Sequence, residues 1–157
     1  MQAKKLNPDY VAAVKKALAQ TPYFQLLSMS MSNLEPGRSE FLIPAQEKHL
    51  NPHQGVHGGV IASIIDAACY WATYSEMDTE NALTTVELKI NYLSSARAGQ
   101  SLIAIGTAVK SGKTLGVAEA RVAEKDSGRL VGFGTASCMA LNKPLGGALA
   151  SLPAKFI

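Results

Sequence analysis

Asn51-Pro52-His53-Gln54-Gly55-Val56-His57-Gly58-Gly59-Val60-Ile61-Ala62-Ser63-Ile64-Ile65-Asp66-Ala67-Ala68-Cys69-Tyr70-Trp71-Ala72-Thr73-Tyr74 joins a Gly-, Pro- and His-rich loop to a long apolar segment. From Val60 onward there is no Pro or Gly, and Ala and Ile dominate, which predicts a helix starting near His57 or Gly58. The helix is apolar almost all round, the mark of an element buried on most faces. Between Lys48 and Glu76 the only formal charge is Asp66, in the middle of that helix. A buried carboxylate is costly unless it is paired, hydrogen-bonded or used. The segment is too short, and too interrupted by Asp66, to span a membrane.

Spacing sharpens the reading. At the helix start, Gly58 presents unpaired backbone N–H groups and the positive end of the dipole, a place for an oxyanion. Asp66 lies eight residues on, hence roughly 12 Å further along the axis. One helix cannot hold a carbonyl at Gly58 and attack it with its own Asp66. Two copies of the helix, antiparallel about a two-fold axis, would bring Asp66 of one towards Gly58 of the other. Ala62 and Ser63, at the midpoint, are small enough for close approach. The spacing therefore suggests a site shared between subunits.

The pattern Asn51-x5-His57-Gly58-Gly59-x6-Asp66 resembles the active-site signature of hotdog-fold acyl-CoA thioesterases, in particular the group related to the phenylacetic acid degradation thioesterase. The likeness continues through Thr85-Val86-Glu87-Leu88-Lys89-Ile90-Asn91-Tyr92-Leu93, Lys110-Ser111-Gly112-Lys113-Thr114 and Ser127-Gly128-Arg129-Leu130-Val131, covering roughly residues 23 to 141. It implies an α+β hotdog fold and hydrolysis of an aromatic or medium-chain acyl-CoA. By the same resemblance the Gly58 N–H polarises the thioester carbonyl, and Asn51 orients the carbonyl or the attacking water. His57 contacts the thioester or merely caps the helix. Asp66 is nucleophile or general base. Thr85 stands where related enzymes carry a Ser that orients water or nucleophile; its bland reading is an ordinary strand Thr. Gly59, Tyr92, Lys110, Gly112 and Lys113 are the implied substrate and coenzyme A contacts, with Arg97 a further phosphate candidate. No cofactor is implied, since coenzyme A is part of the substrate. A homodimer is implied, and pairing of dimers into tetramers is common in the family.

Composition agrees with one domain. The 157 residues are 47% hydrophobic and 17% charged, which leaves room for an oligomer interface. A net charge of +3 suits an anionic ligand such as coenzyme A and is too weak to argue for nucleic acid. Cys69 and Cys138 show no motif spacing and read as small buried residues in a reduced compartment. Met1 to Lys5 are followed by no apolar h-region, so no signal peptide is expected and the cytoplasm is the default location.

Along the chain, Asn7-Pro8-Asp9 opens a helix, with Val11, Val14 and Leu18 on one face and Thr21-Pro22 at its end. Tyr23, Phe24, Leu26 and Leu27 are expected to enter the core. Leu27, Met29 and Met31 alternate with serines as a half-buried strand, and Glu35-Pro36-Gly37-Arg38 turns it into a partner over Ser39 to Pro44. After the central helix come four strand candidates, about 83–93, 101–110, 114–124 and 130–141. In the first, Val86, Leu88, Ile90 and Tyr92 share one face, and Glu87, Lys89 and Asn91 the other. One long helix followed by antiparallel strands predicts a sheet wrapped around that helix. The organisation expected is an N-terminal helix and lead-in over 1–22, the main domain over 23–141, and an irregular tail over 142–157, loose or packed on a neighbour.

Bland readings compete at several positions. Asp66 could be held by a neighbouring hydroxyl such as Ser63 or Tyr70. His49, His53 and His57 fall at intervals of four, but Pro52 and Gly55 deny them a common helix face, and no metal site is expected. Gly112-Lys113-Thr114 resembles the end of a P-loop, yet Thr107 replaces the required Gly and no helix follows. Tyr70, Trp71 and Tyr74 border an acyl pocket or belong to the core. The rival functions are a non-catalytic acyl-CoA-binding module and a hydratase or dehydratase on the same fold.

Overall fold

The computed structural model describes residues 4–157. The Asn7 side chain caps helix α1 (Pro8–Ala19) by accepting from the Asp9 N–H at 3.0 Å, with Pro8 in the first turn. The chain does not enter a strand after Thr21. Pro22 instead opens a second short helix, α2 (Pro22–Leu26). Its geometry corrects one expectation: Phe24 and Leu27, three residues apart, turn inward, while Tyr23 and Leu26 are 53% and 62% exposed. The left-handed backbone at Ser28 (φ 51°) then delays the first strand, β1, to Ser30–Glu35. A turn through Gly37 returns the chain as β2 (Arg38–Pro44).

Helix α3 (Gly58–Glu76) has His57 as its N-cap. Strands β3 (Asn81–Tyr92), β4 (Ser101–Ser111), β5 (Leu115–Glu124) and β6 (Leu130–Pro144) follow. All pairings are antiparallel, in the order β1-β2-β4-β5-β6-β3, and the six-stranded sheet wraps α3 as expected of a hotdog fold. The helix lies very close to the sheet. A Cβ at Gly106 would stand 2.3 Å from the Ala68 carbonyl oxygen, and one at Gly116 would stand 2.1 Å from the Thr73 methyl. Ser39 adds a buried bond to the Ala68 carbonyl at 2.7 Å.

The edge strand β3 differs from the half-buried strand expected. Leu88, Ile90 and Tyr92 do share the α3 side, but Val86 falls in a bulge between Thr85 and Glu87. Val86, Leu88 and Tyr92 are 54%, 36% and 59% exposed, because neither α3 nor another strand of the same chain covers this edge. The tail also differs. β6 runs on to Pro144, and the last residues fold back on their own chain, with a bridge between Leu6 and Phe156. The reason is electrostatic: the Lys155 ammonium donates to the carbonyls of Tyr74, Met77 and Thr79 at the C-terminal end of α3, at 3.1, 3.0 and 2.8 Å. No helix among the described residues is long and apolar enough to cross a membrane.

Candidate active site

The loop before α3 is built around two side-chain turns. Asn51 Oδ1 accepts from the N–H groups of His53 and Gly55 at 2.9 and 3.2 Å, leaving its amide nitrogen directed elsewhere. Behind it, the buried His49 uses Nδ1 to accept from the Gln46 N–H, and its carbonyl accepts from the His57 N–H. Burial, with the Lys48 ammonium adding to it, holds the His49 imidazole below its ordinary pKa.

At the tip of α3 the N–H groups divide. His57 Nδ1 accepts from the Gly59 N–H at 2.8 Å and so caps the helix. The Gly58 N–H has no partner among the described residues. Space is tight at both positions: a Cβ on Gly59 would lie 3.0 Å from His57 Nδ1, and one on Gly58 would lie 3.2 Å from the ring of the exposed Tyr92. Asn51, Gly58, Ile61, Tyr92 and Ser94 line a cleft of about 350 Å³ beside this tip. Its outer wall is braced by Arg129, whose guanidinium donates to Ser94 Oγ and the Ser95 carbonyl at 2.6 and 2.7 Å.

Two turns along the helix, Asp66 is held by Thr85. The Thr85 hydroxyl donates to Asp66 Oδ1 at 2.8 Å. Neither hydroxyl considered from the sequence does this: Ser63 donates to the Gly59 carbonyl and meets the Tyr23 hydroxyl at 2.7 Å, while the Tyr70 oxygen accepts from the Leu83 N–H. Tyr23 thus reaches over Ser63, at the midpoint of α3, while itself staying 53% exposed. Asp66 opens into an apolar cavity of about 470 Å³ walled by Phe24, Met29, Tyr70, Trp71 and Leu88, with Tyr23 at its edge. Tyr74 is not part of that wall; it is buried and packs on Tyr70 and Trp71.

The remaining residues singled out from the sequence lie apart. Lys110, Gly112 and Lys113 sit on the β4–β5 hairpin beside the C-terminal end of α3, where Ser111 donates to the Glu76 carboxylate at 2.9 Å. Eighteen helical steps separate Gly58 from Glu76, roughly 27 Å, so one chain does not bring the hairpin to the Gly58 cleft. Arg97 is exposed in its turn. The three histidines are not gathered: His49 is buried, while His53 and His57 are exposed. Sequence reading missed Arg129, Tyr23 and Phe24. Tyr23 and Phe24 were read only as core residues because α2 was not foreseen, and Arg129 was read only as part of the Ser127–Val131 likeness.

The thioesterase superfamily model matches residues 53–131, from the loop before α3 to the first residues of β6. The chain belongs to this superfamily. The thioesterase is 27% identical over 125 residues to mouse (Mus musculus) acyl-coenzyme A thioesterase 13, covering 77% of this chain and 87% of the relative. Among solved structures, a thioesterase family protein from Silicibacter pomeroyi is 33% identical, with a TM-score of 0.76 over 84% of this chain and 98% of that one. The E. coli PaaI protein from the phenylacetic acid degradation operon shares the fold, with a TM-score of 0.77 at 19% identity over 86% of this chain and 95% of that one. The hotdog thioesterase expected from Asn51, His57-Gly58-Gly59 and Asp66 is therefore the family found.

Proposed function

We propose that this thioesterase hydrolyses the thioester of an aromatic or medium-chain acyl-CoA, at a site assembled from two copies of the chain. The observation that carries this reading is the division of α3. An unclaimed N–H stands at its tip, and a hydroxyl-held carboxylate opens into an apolar cavity eight residues away. Oxyanion donor and carboxylate are about 12 Å apart along one helix, too far to act on one carbonyl. Antiparallel copies would bring the partner subunit's Asp66 towards Gly58. The uncovered apolar side chains of β3, namely Val86, Leu88 and Tyr92, supply a surface for that pairing.

In this reading the thioester oxygen accepts from the Gly58 N–H at the positive end of the helix dipole, with the Asn51 amide as a second donor. His57 contributes by keeping the Gly59 N–H occupied and the helix tip rigid. The partner subunit's Asp66 either takes a proton from water as it attacks the carbonyl carbon, or attacks itself to form an acyl anhydride that water then opens. Both routes break the carbon–sulfur bond and release coenzyme A thiol and the free acid. The acyl group occupies the Phe24–Trp71 cavity, and Tyr92 flanks the thioester. Lys110, Gly112 and Lys113 come from the copy that supplies Asp66 and meet the coenzyme A phosphates. No metal or further cofactor enters.

A panel of aryl- and straight-chain acyl-CoA thioesters, followed by release of free thiol, tests the reading. Turnover of aryl or medium-chain members with wild-type protein, and its loss in Asp66→Ala, is the expected result. A panel bound but not hydrolysed would leave a binding module in its place.

A further inference from the structure

The carboxylate at the centre of the site has a second residue behind it. Thr85 and Cys138 are direct cross-strand partners in the β3–β6 register, and the bulge at Val86 follows immediately after Thr85. Their side chains both point to the inner side of the sheet, where Thr85 Oγ and Cys138 Sγ lie 3.9 Å apart, within reach of a thiol hydrogen bond. Cys138 is fully buried and is flanked on its other side by Gly116, its partner on β5, against which Thr73 packs. The sulfur is therefore boxed in between a helix and two strands.

Donor arithmetic fixes the direction of these bonds. A threonine hydroxyl carries one proton and can accept through its oxygen. An ionised Asp66 only accepts, so the Thr85 proton is spent on Oδ1 at 2.8 Å. The Thr85 oxygen must then accept at its other contact, and the Cys138 thiol is the donor. Burial, with the nearby Asp66 charge adding to it, outweighs the Thr85 contact that would favour a thiolate and keeps that thiol protonated. Oδ2 of Asp66 has no partner among the described residues.

We propose that Cys138 is a positioning residue of the hydrolytic site, its S–H aligning the Thr85 hydroxyl so that this hydroxyl holds Asp66 Oδ1 and leaves Oδ2 to the reaction. The inference rests on the reading of Asp66 as the reacting carboxylate. A thiol is a weak donor, and its value here is directional. Without it the Thr85 hydroxyl has a second rotamer to occupy, and Asp66 loses a bond that favours its charged form. The absence of any motif around Cys138 is why sequence reading left it as a small core residue.

The test compares Cys138→Ala with Cys138→Ser, alone and in a Thr85→Val background. Losing the donor should lower kcat about fivefold, in keeping with one modest hydrogen bond, leave KM unchanged and move the acid limb of the kcat–pH profile upward. Serine, which restores an O–H, should recover most of the rate and return the limb. In the Thr85→Val background the alanine change should have no further effect, because the residue it acts through is gone. Full additivity there, an unmoved acid limb, or equal losses for Ala and Ser would overturn the proposal. An independent measurement needs no change at Cys138: in a Cys69→Ala protein, the remaining S–H infrared band should move to higher frequency when Thr85 becomes Val, and an unmoved band would also overturn it. Asp66→Asn separates the two claims. If that variant is inactive, the Cys138 results decide the relay alone; if it retains full activity, the carboxylate reading and the relay fall together.

Discussion

The Thr85 hydroxyl donates to Asp66 Oδ1 across 2.8 Å, joining edge strand β3 to the middle of the buried helix. It is the one hydrogen bond to this carboxylate among the described residues, and it links the two positions through the fold and not through neighbouring sequence. Thr85→Val keeps the shape and deletes the donor. Its kcat should fall about tenfold or more, the scale of a hydrogen bond to a charged group, while Thr85→Ser should retain most of the rate. Steady-state kinetics on the best thioester of the panel check this; equal rates for Val and Ser would show that the hydroxyl is idle.

Gly58→Pro isolates the role of one backbone N–H. Proline is accepted at the first position of a helix, and His57 before it already has the extended backbone (ψ 138°) that a following proline requires. The exposed Tyr92 ring, 3.2 Å from the position of a Cβ, can swing aside. The variant should fold with an unchanged circular dichroism spectrum and lose roughly a hundredfold or more in kcat, as other oxyanion-donor deletions do. Retained turnover in a folded variant would remove the Gly58 N–H from the mechanism.

Stability should fall on the alkaline side. Burial pushes the Cys69 thiol up to about 12 and also raises Cys138, Tyr10, Tyr70 and Tyr74. The unfolded chain sheds these protons from about pH 8.5 for thiols and about pH 10 for phenols, whereas the folded chain keeps them. The unfolded state then binds fewer protons, so this stability is whole below about pH 8 and is lost as pH rises towards 12. Lys155, lowered to about 8 by burial, works in the opposite direction between about 8 and its unfolded value, but it is one group against five. Thermal melts should show Tm decreasing between pH 9.5 and 11. A flat or rising Tm would mean these groups are far more hydrated than their surroundings indicate.

Lys155→Met should loosen the C-terminal return without disturbing chemistry. The ammonium satisfies three carbonyls at the end of α3 and lies 3.7 Å from the centre of the Tyr74 ring. Against this stands the burial that lowers its pKa, so the net loss should be about 2 kcal/mol, not the sum of three charged bonds. Urea denaturation measures it. The kcat should stay within twofold of wild type, since the Asp66 cavity is walled by other residues.

How much of this was legible before the structure varied by residue. The helix from Gly58, the sheet around it and the family followed from an apolar run with one charge in it, a pattern that tertiary packing leaves intact. The four late strands were visible because turn residues bracket them. What escaped depended on local backbone choices: Pro22 opened a helix where only an ending was read, and the left-handed Ser28 moved the start of β1. Tyr23 and Phe24 therefore came to the rim of the Asp66 cavity unannounced. The uncovered face of β3 alternates like a buried one, because periodicity records which residues share a side and not which molecule covers them. Long-range partners were beyond reach: nothing local tells Lys155 that it caps α3, or Thr85 that it faces both Asp66 and Cys138.

The shared site is tested most directly by subunit complementation. Asp66→Ala and Gly58→Pro proteins, each inactive alone, are unfolded together, refolded as an equal mixture and assayed for thioester hydrolysis. If donor and carboxylate come from different copies, each mixed dimer carries one site with both defects and one site with none. Random pairing then restores about a quarter of wild-type activity. A mixture as inactive as its components, with mixed dimers demonstrated by native mass spectrometry, would contradict the account.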